Sequence, residues 1–165
     1  VRMPPGPPAE PPEDLASPLA HEGVRRFTVP ALESSVPRAR HAVRDLLKRR
    51  RVPAADSIKD SLLLIVSELV TNAVQHAALL SPEIVLEITV GANWVRVAVE
   101  DNHPYRPKAL QANEEDIGGR GLWLVKMLTV EAGGKCDVEH TVSGGKAVWA
   151  ELPLTPVPTS PPPHL

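Results

Sequence analysis

Apolar residues recur along this chain with two different periods, and the changes of period mark the elements. "VRRFTVP" alternates, with Arg26 and Thr28 outward and Phe27 and Val29 flanking them, which predicts a short first strand. In "SSVPRARHAVRDLLKRR", Val36, Ala39, Val43, Leu46 and Leu47 fall on one helical face with basic residues opposite, and Ser34 or Ser35 is placed to cap it. A longer helix follows in "ADSIKDSLLLIVSELVTNAVQHAALL", starting near Asp56 or Ser57. Its apolar positions Leu62, Ile65, Val66, Leu69, Val70, Ala73, Val74 and Ala77 recur at helical spacing.

The period then drops to two. Ile84, Leu86, Ile88 and Val90 alternate with other residues, "GAN" reverses the chain, and Val95, Val97 and Val99 alternate back, which is the pattern of a β-hairpin. "NHPYRPKALQANEEDIGGRG" has no period and reads as a long loop, a length that in a compact domain marks a functional lid or disorder. "LWLVKMLTVEAGG" predicts a helix starting directly after Gly121, and "KCDVEHTVSGGKAVWAELPL" a second hairpin turning at Ser143 to Gly145. The order β-α-α-β-β-loop-α-β-β predicts an α+β fold: a two-layer sandwich with a mostly antiparallel mixed sheet covered on one face by about three helices.

Composition narrows the picture. Of 19 prolines, seven lie between Pro4 and Pro18 and six between Pro153 and Pro163. Proline can neither donate to a sheet ladder nor continue a helix, so residues 1–23 and 154–165 are expected to be Pro-rich disordered tails around one folded unit, residues 24–153. A net charge of −2 gives no footprint for nucleic-acid binding, and no apolar run approaches the roughly 20 residues that span a bilayer. No basic segment followed by an apolar stretch opens the sequence, and the single Cys136 suits a reducing compartment. Both point to a cytoplasmic protein.

Three stretches carry candidate chemistry. In "SELVTNAVQHA", Glu68, Asn72 and His76 share one side of the second helix, four residues apart. An amide oxygen such as that of Asn72 can complete the shell of Mg²⁺, whose other ligands are typically water and phosphate oxygens, and Glu68 one turn earlier is placed to accept a proton. The competing reading is a solvated polar stripe, although both residues neighbour Ile65, Leu69 and Ala73 in helical projection. In "VAVEDNHP", Asp101 ends a strand, where it is either a turn-former or an acceptor for an exocyclic amine such as that of adenine. In "DIGGRGLWLV", Gly118, Gly119 and Gly121 precede a helix. There they either tether the loop or let backbone N–H groups approach a phosphate.

Taken in this order, helix Glu-x-x-x-Asn, strand-end Asp, long loop and Gly-rich helix start, the sequence resembles the GHKL (Bergerat) ATP-binding superfamily over residues 24–153. "SELVTNAVQHA", "GGRGLWLV" and "GGKAVWAEL", with the opening "RRFTVP…SVPRARHAVRDLL", are most similar to its anti-sigma-factor serine/threonine kinase branch of the RsbW and SpoIIAB type, in its actinobacterial form. The resemblance implies the cofactors ATP and Mg²⁺, with Asn72 as metal ligand, Glu68 as general base toward a partner's serine hydroxyl and Asp101 as the adenine reader. It implies that Gly119, Arg120, Gly121 and Leu122 wrap the phosphates while a lid from Asn102 to Gly118 closes. His76 is expected to be structural, and Arg106 and Arg120 are the nearest cations. The sequence departs from the pattern in two places: His103 stands where a glycine is frequent, and on the last hairpin "GKAV" offers Lys146 and Ala147 where many members carry a threonine.

The implied partners are a sigma factor and an antagonist of the anti-anti-sigma type, with a homodimer as a further possibility and no direct contact with nucleic acid or membrane. The implied function is phosphorylation of the antagonist together with sequestration of the sigma factor. The alternative is a non-catalytic ATP- or partner-binding module of the same fold. A sensor histidine kinase is disfavoured, because no long helical hairpin surrounds His21. The basic residues Arg38, Arg40, Arg44, Lys48 and Arg49 to Arg51 read first as a solvated helix end complementing its dipole, and secondly as a surface for an acidic partner.

Overall fold

The computed structural model describes residues 21–77, 83–101, 120–142 and 144–157. Eight elements occupy them: β1 (Gly23–Pro30), α1 (Ser35–Arg49), α2 (Asp56–Ala77), β2 (Glu83–Val90), β3 (Trp94–Asp101), α3 (Arg120–Glu131), β4 (Lys135–His140) and β5 (Lys146–Pro153). The element order is the one the periodicity predicts. The strands form one sheet in the order β1-β2-β3-β5-β4. Every described pairing is antiparallel, so the expected mixed character is not seen among the described residues.

Alternation decides which face of the sheet is dry. Ile84, Leu86, Ile88 and Val90 of β2, Val95, Val97 and Val99 of β3, and Val148, Ala150 and Leu152 of β5 point toward the helices and are buried. The opposite face carries Arg26 between Glu87 and Glu100, and Arg96, which lies 4.1 Å over the Trp149 ring and 3.1 Å from Glu151. These half-exposed ion pairs keep that face wet and each contributes little to stability.

Helix α2 is the centre of the other layer. It packs against α1 on one side, α3 on the other, and β3 and β5 beneath. That position explains why Ile58, Leu62, Ile65, Val66, Leu69, Val70, Ala73 and Val74 are all buried and why its apolar surface is so wide. Helix α1 buries only the predicted stripe Ala39, Val43, Leu46 and Leu47, together with Ser35.

The boundaries differ from expectation in small, explicable ways. Ser34 sits at the N-cap of α1 without a side-chain cap bond, while the Ser35 hydroxyl donates to the Pro30 carbonyl at 2.6 Å and ties the helix start to β1. Helix α1 ends with Arg51 in the left-handed region at φ 50°. The N–H of Val52 bonds to Leu47 and that of Arg51 to Lys48, the paired bonds of a Schellman ending. Helix α3 begins at Arg120, so Gly121 lies inside its first turn and not before it. Past the expected boundary at 153, Leu154 is buried and its backbone bonds to Asn93 and Ala55, so the packed unit includes it. The tail assignments for residues 1–20 and 158–165 lie outside the described residues.

Candidate functional site

The polar face of α2 is neither core nor open surface. Glu68 and Asn72 are half-buried, beside the buried Ile65, Leu69 and Ala73. Helix α3 meets α2 at this point. A Cβ built on Gly121 would come within 2.5 Å of Oε2 of Glu68. A larger residue at 121 would displace the Glu68 carboxylate from this position, at the flexible end of its side chain. The first turn of a helix carries N–H groups without intrahelical partners and the positive end of the helix dipole, and a carboxylate is favourable beside it. Leu122, the next residue, is buried and anchors that turn to the core.

Asp101 closes β3 on the helix-facing side, sharing parity with Val95, Val97 and Val99, and is only 6% exposed. Its cross-strand partner is Lys146, the first residue of β5, which is 1% exposed. Burial pushes the Lys146 ammonium below the ordinary lysine range, and the nearby charge of Asp101 pulls it partly back. Lys146 in turn pairs with His140 of β4, which is exposed.

Two of the sequence-predicted groups are therefore in direct register with neighbours. Glu68 lies beside Gly121, and Asp101 stands opposite Lys146; α2 packs on α3 and on β3. Asn72 lies one turn beyond Glu68 on α2, and Arg120 opens α3. The predicted lid from Asn102 to Gly118, with His103 and Arg106, and the predicted phosphate residue Gly119 lie outside the described residues.

Sequence reasoning treated Lys146 only as a departure from a family pattern and missed its place against Asp101. The signal was parity. Lys146, Val148, Ala150 and Leu152 share one face of β5, so a lysine there had to point inward. Among the described residues no group of three His, Cys, Asp or Glu side chains is arranged to hold a metal ion. A hard divalent cation at Asn72 would take one amide oxygen from the protein and its remaining ligands from a bound phosphate and water.

An open five-stranded antiparallel sheet with three helices on one face defines the class: an α+β sandwich of the GHKL type. Residues 29–151 match the model of the histidine kinase-like ATPase domain family, and the chain belongs to that family. No match is found among curated proteins.

Similar solved structures agree on the fold. The RsbU and RsbW domains of Rv1364c from Mycobacterium tuberculosis superpose with a TM-score of 0.55 at 20% identity, over 79% of this chain and 32% of that one. The catalytic domain of the histidine kinase ThkA gives 0.51 at 20% identity, over 81% of this chain and 99% of that one. Full-length ShkA in complex with AMPPNP gives 0.50 at 20% identity, over 80% and 32%. The chain thus spans about a third of the Rv1364c and ShkA chains. No helix among the described residues is long and apolar enough to cross a membrane.

Proposed function

We propose that this chain binds ATP with Mg²⁺ and acts as a serine/threonine protein kinase of the anti-sigma type, phosphorylating an antagonist protein and sequestering a sigma factor. The observation that carries the reading is the approach of Gly121 to Glu68. It is a cradle that a Cβ would fill, and it brings together a helix start suited to phosphate and a carboxylate suited to proton transfer. The residues present fit a nucleoside triphosphate: Asp101 offers acceptors to a base amine, Arg120, Gly121 and Leu122 supply backbone at the helix start, with Gly119 just before it, and Asn72 supplies a metal ligand.

Bound Mg²⁺ would neutralise charge on the phosphates, and the protein would contribute positioning. Glu68 takes the proton of the partner's hydroxyl as the oxygen forms its bond to the γ-phosphorus and the bond to the leaving ADP oxygen breaks. Support for a sigma-regulating role comes from the motif resemblance and from the RsbW domain in the Rv1364c structure. The exposed basic face of α1, with Arg38, Arg40, Arg44, Lys48 and Arg49, is available for an acidic partner.

A second reading, ATP or partner binding without catalysis, is favoured by Lys146 lying against Asp101 at the base end of the site. Calorimetric titration with ATP and GTP, with and without Mg²⁺, tests the binding step on the wild type and on Asp101→Asn and Asn72→Ala. The reading expects ATP to bind, GTP not to, and both variants to weaken binding. No binding at millimolar ATP would contradict it. Transfer of labelled phosphate to a candidate antagonist separates the kinase from the passive binder.

A further inference from the structure

Helix α3 presents apolar side chains to water as well as to the core. Leu122, Val125 and Thr129 recur at helical spacing and are buried against the rest of the fold. Trp123, Met127 and Val130 recur at the same spacing on the outward side. There Trp123 is half-buried, Met127 is 46% exposed and Val130 is 61% exposed. The outward face of a surface helix is ordinarily polar, and a contiguous apolar stripe on it marks an interaction surface.

The chain itself arrives at the foot of this stripe. After β5, the backbone of Leu154 bonds to Asn93 and Ala55. Val157 then rests against Gly133, where an added Cβ would lie 2.9 Å from Cβ of Val157. Gly133 follows Val130 by three residues and donates its N–H to the Val130 carbonyl. Val157 is exposed as well, so it extends the apolar line beyond the end of α3. The residues that continue from it, "PTSPPPHL", carry four prolines and no Asp, Glu, Lys or Arg. Proline-rich segments favour the extended PPII conformation and dock on aromatic and apolar side chains at low entropic cost. Residues 158–165 in that conformation span about 25 Å. The helix rises only about 15 Å between Trp123 and Gly133. Tethering at Val157 gives the segment a high effective concentration at the stripe, so weak contacts suffice.

We propose that the outward face of α3 is the docking surface for residues 158–165 of the same chain, which run from Val157 along Val130 and Met127 to Trp123 with their prolines on these side chains. The segment is uncharged and apolar, as the stripe is, and the last described residue before it already sits at the end of the helix. The inference does not rest on the nucleotide reading, because none of these residues belongs to that site.

The test is NOE spectroscopy on the full chain, with isotope-labelled protein mixed with unlabelled protein so that contacts within one chain separate from contacts between chains. The wild type is expected to show NOEs within one chain from the ring protons of Pro161 to Pro163 to the Trp123 indole and the Met127 methyl group. The double variant Met127→Glu/Val130→Glu places charge on the exposed stripe and is expected to lose the NOEs to Trp123. Should the double variant fail to fold, Val130→Glu alone carries the comparison. Absence of these NOEs in the wild type would overturn the proposal, as would their persistence in the charged variant. NOEs found only between chains would also overturn it and make a second copy the occupant of the stripe.

Discussion

Gly121 and Glu68 are in contact across the α2–α3 interface, so close that a single methyl group on Gly121 would reach to 2.5 Å from the carboxylate. The obstacle is the end of a flexible side chain, which can swing away. Gly121→Ala gains up to about 1 kcal/mol of helix propensity and spends a similar amount moving Glu68, so the unfolding free energy should change by less than about 1 kcal/mol. Its ATP affinity should fall at least about tenfold, or 1.4 kcal/mol. Urea melts and calorimetry on the same sample check both halves.

Glu68 is half-buried and one turn from Asn72, and the proposed division of labour separates them. Glu68→Gln keeps size and hydrogen bonding and removes the base, so ATP should still bind. The single-turnover rate of phosphoryl transfer to the antagonist should fall by about 10²–10⁴. Equal loss of binding and transfer would show that Glu68 holds the nucleotide instead.

Arg51 adopts φ 50°, a conformation that costs a side-chain-bearing residue about 1–2 kcal/mol and glycine almost nothing. Part of that gain is lost to the greater freedom of glycine in the unfolded chain. Arg51→Gly should therefore stabilise the fold by about 0.5–1 kcal/mol in urea titration. The Arg51 side chain is exposed, so little packing is lost with it.

Cys136 is half-buried, and burial pushes its thiol pKa up, more than its contact with Thr129 and the charge of Lys126 pull it down. The thiolate is the reactive form. Alkylation by iodoacetamide at pH 8 should be slower than for a small free thiol, and should accelerate in denaturant. The native state holds this proton more tightly than the unfolded one, so the contribution of Cys136 to stability declines as pH rises above its unfolded value.

Much of the fold was legible because the periods are clean. The valines and isoleucines of β2 and β3 alternate without interruption, and the stripe of α1 repeats faithfully. The Arg51 ending of α1 was not legible, since "RRRVP" holds no glycine at the position that turns left-handed. The start of α3 was placed late, because glycine in a first turn looks like a loop residue until its neighbour is known. At the site, Glu68 and Asn72 could be put on one face by counting, but only three-dimensional packing joins Glu68 to Gly121, 53 positions later. Lys146 shows the reverse failure. Its inward parity was readable, yet an inward lysine makes sense only once Asp101 is seen opposite it.

The central claim is that one nucleotide site lies where α2, the end of β3 and the start of α3 meet. Amide-resolved NMR of ¹⁵N-labelled protein, titrated with ATP and Mg²⁺, tests it most directly. The account predicts saturable shifts at Asn72, Asp101, Gly121 and Leu122, with α1 and β1 unmoved. Shifts gathered instead in the groove lined by Phe27, Pro37, Arg38, His41 and Arg49, with the four site amides unchanged at saturation, would contradict it.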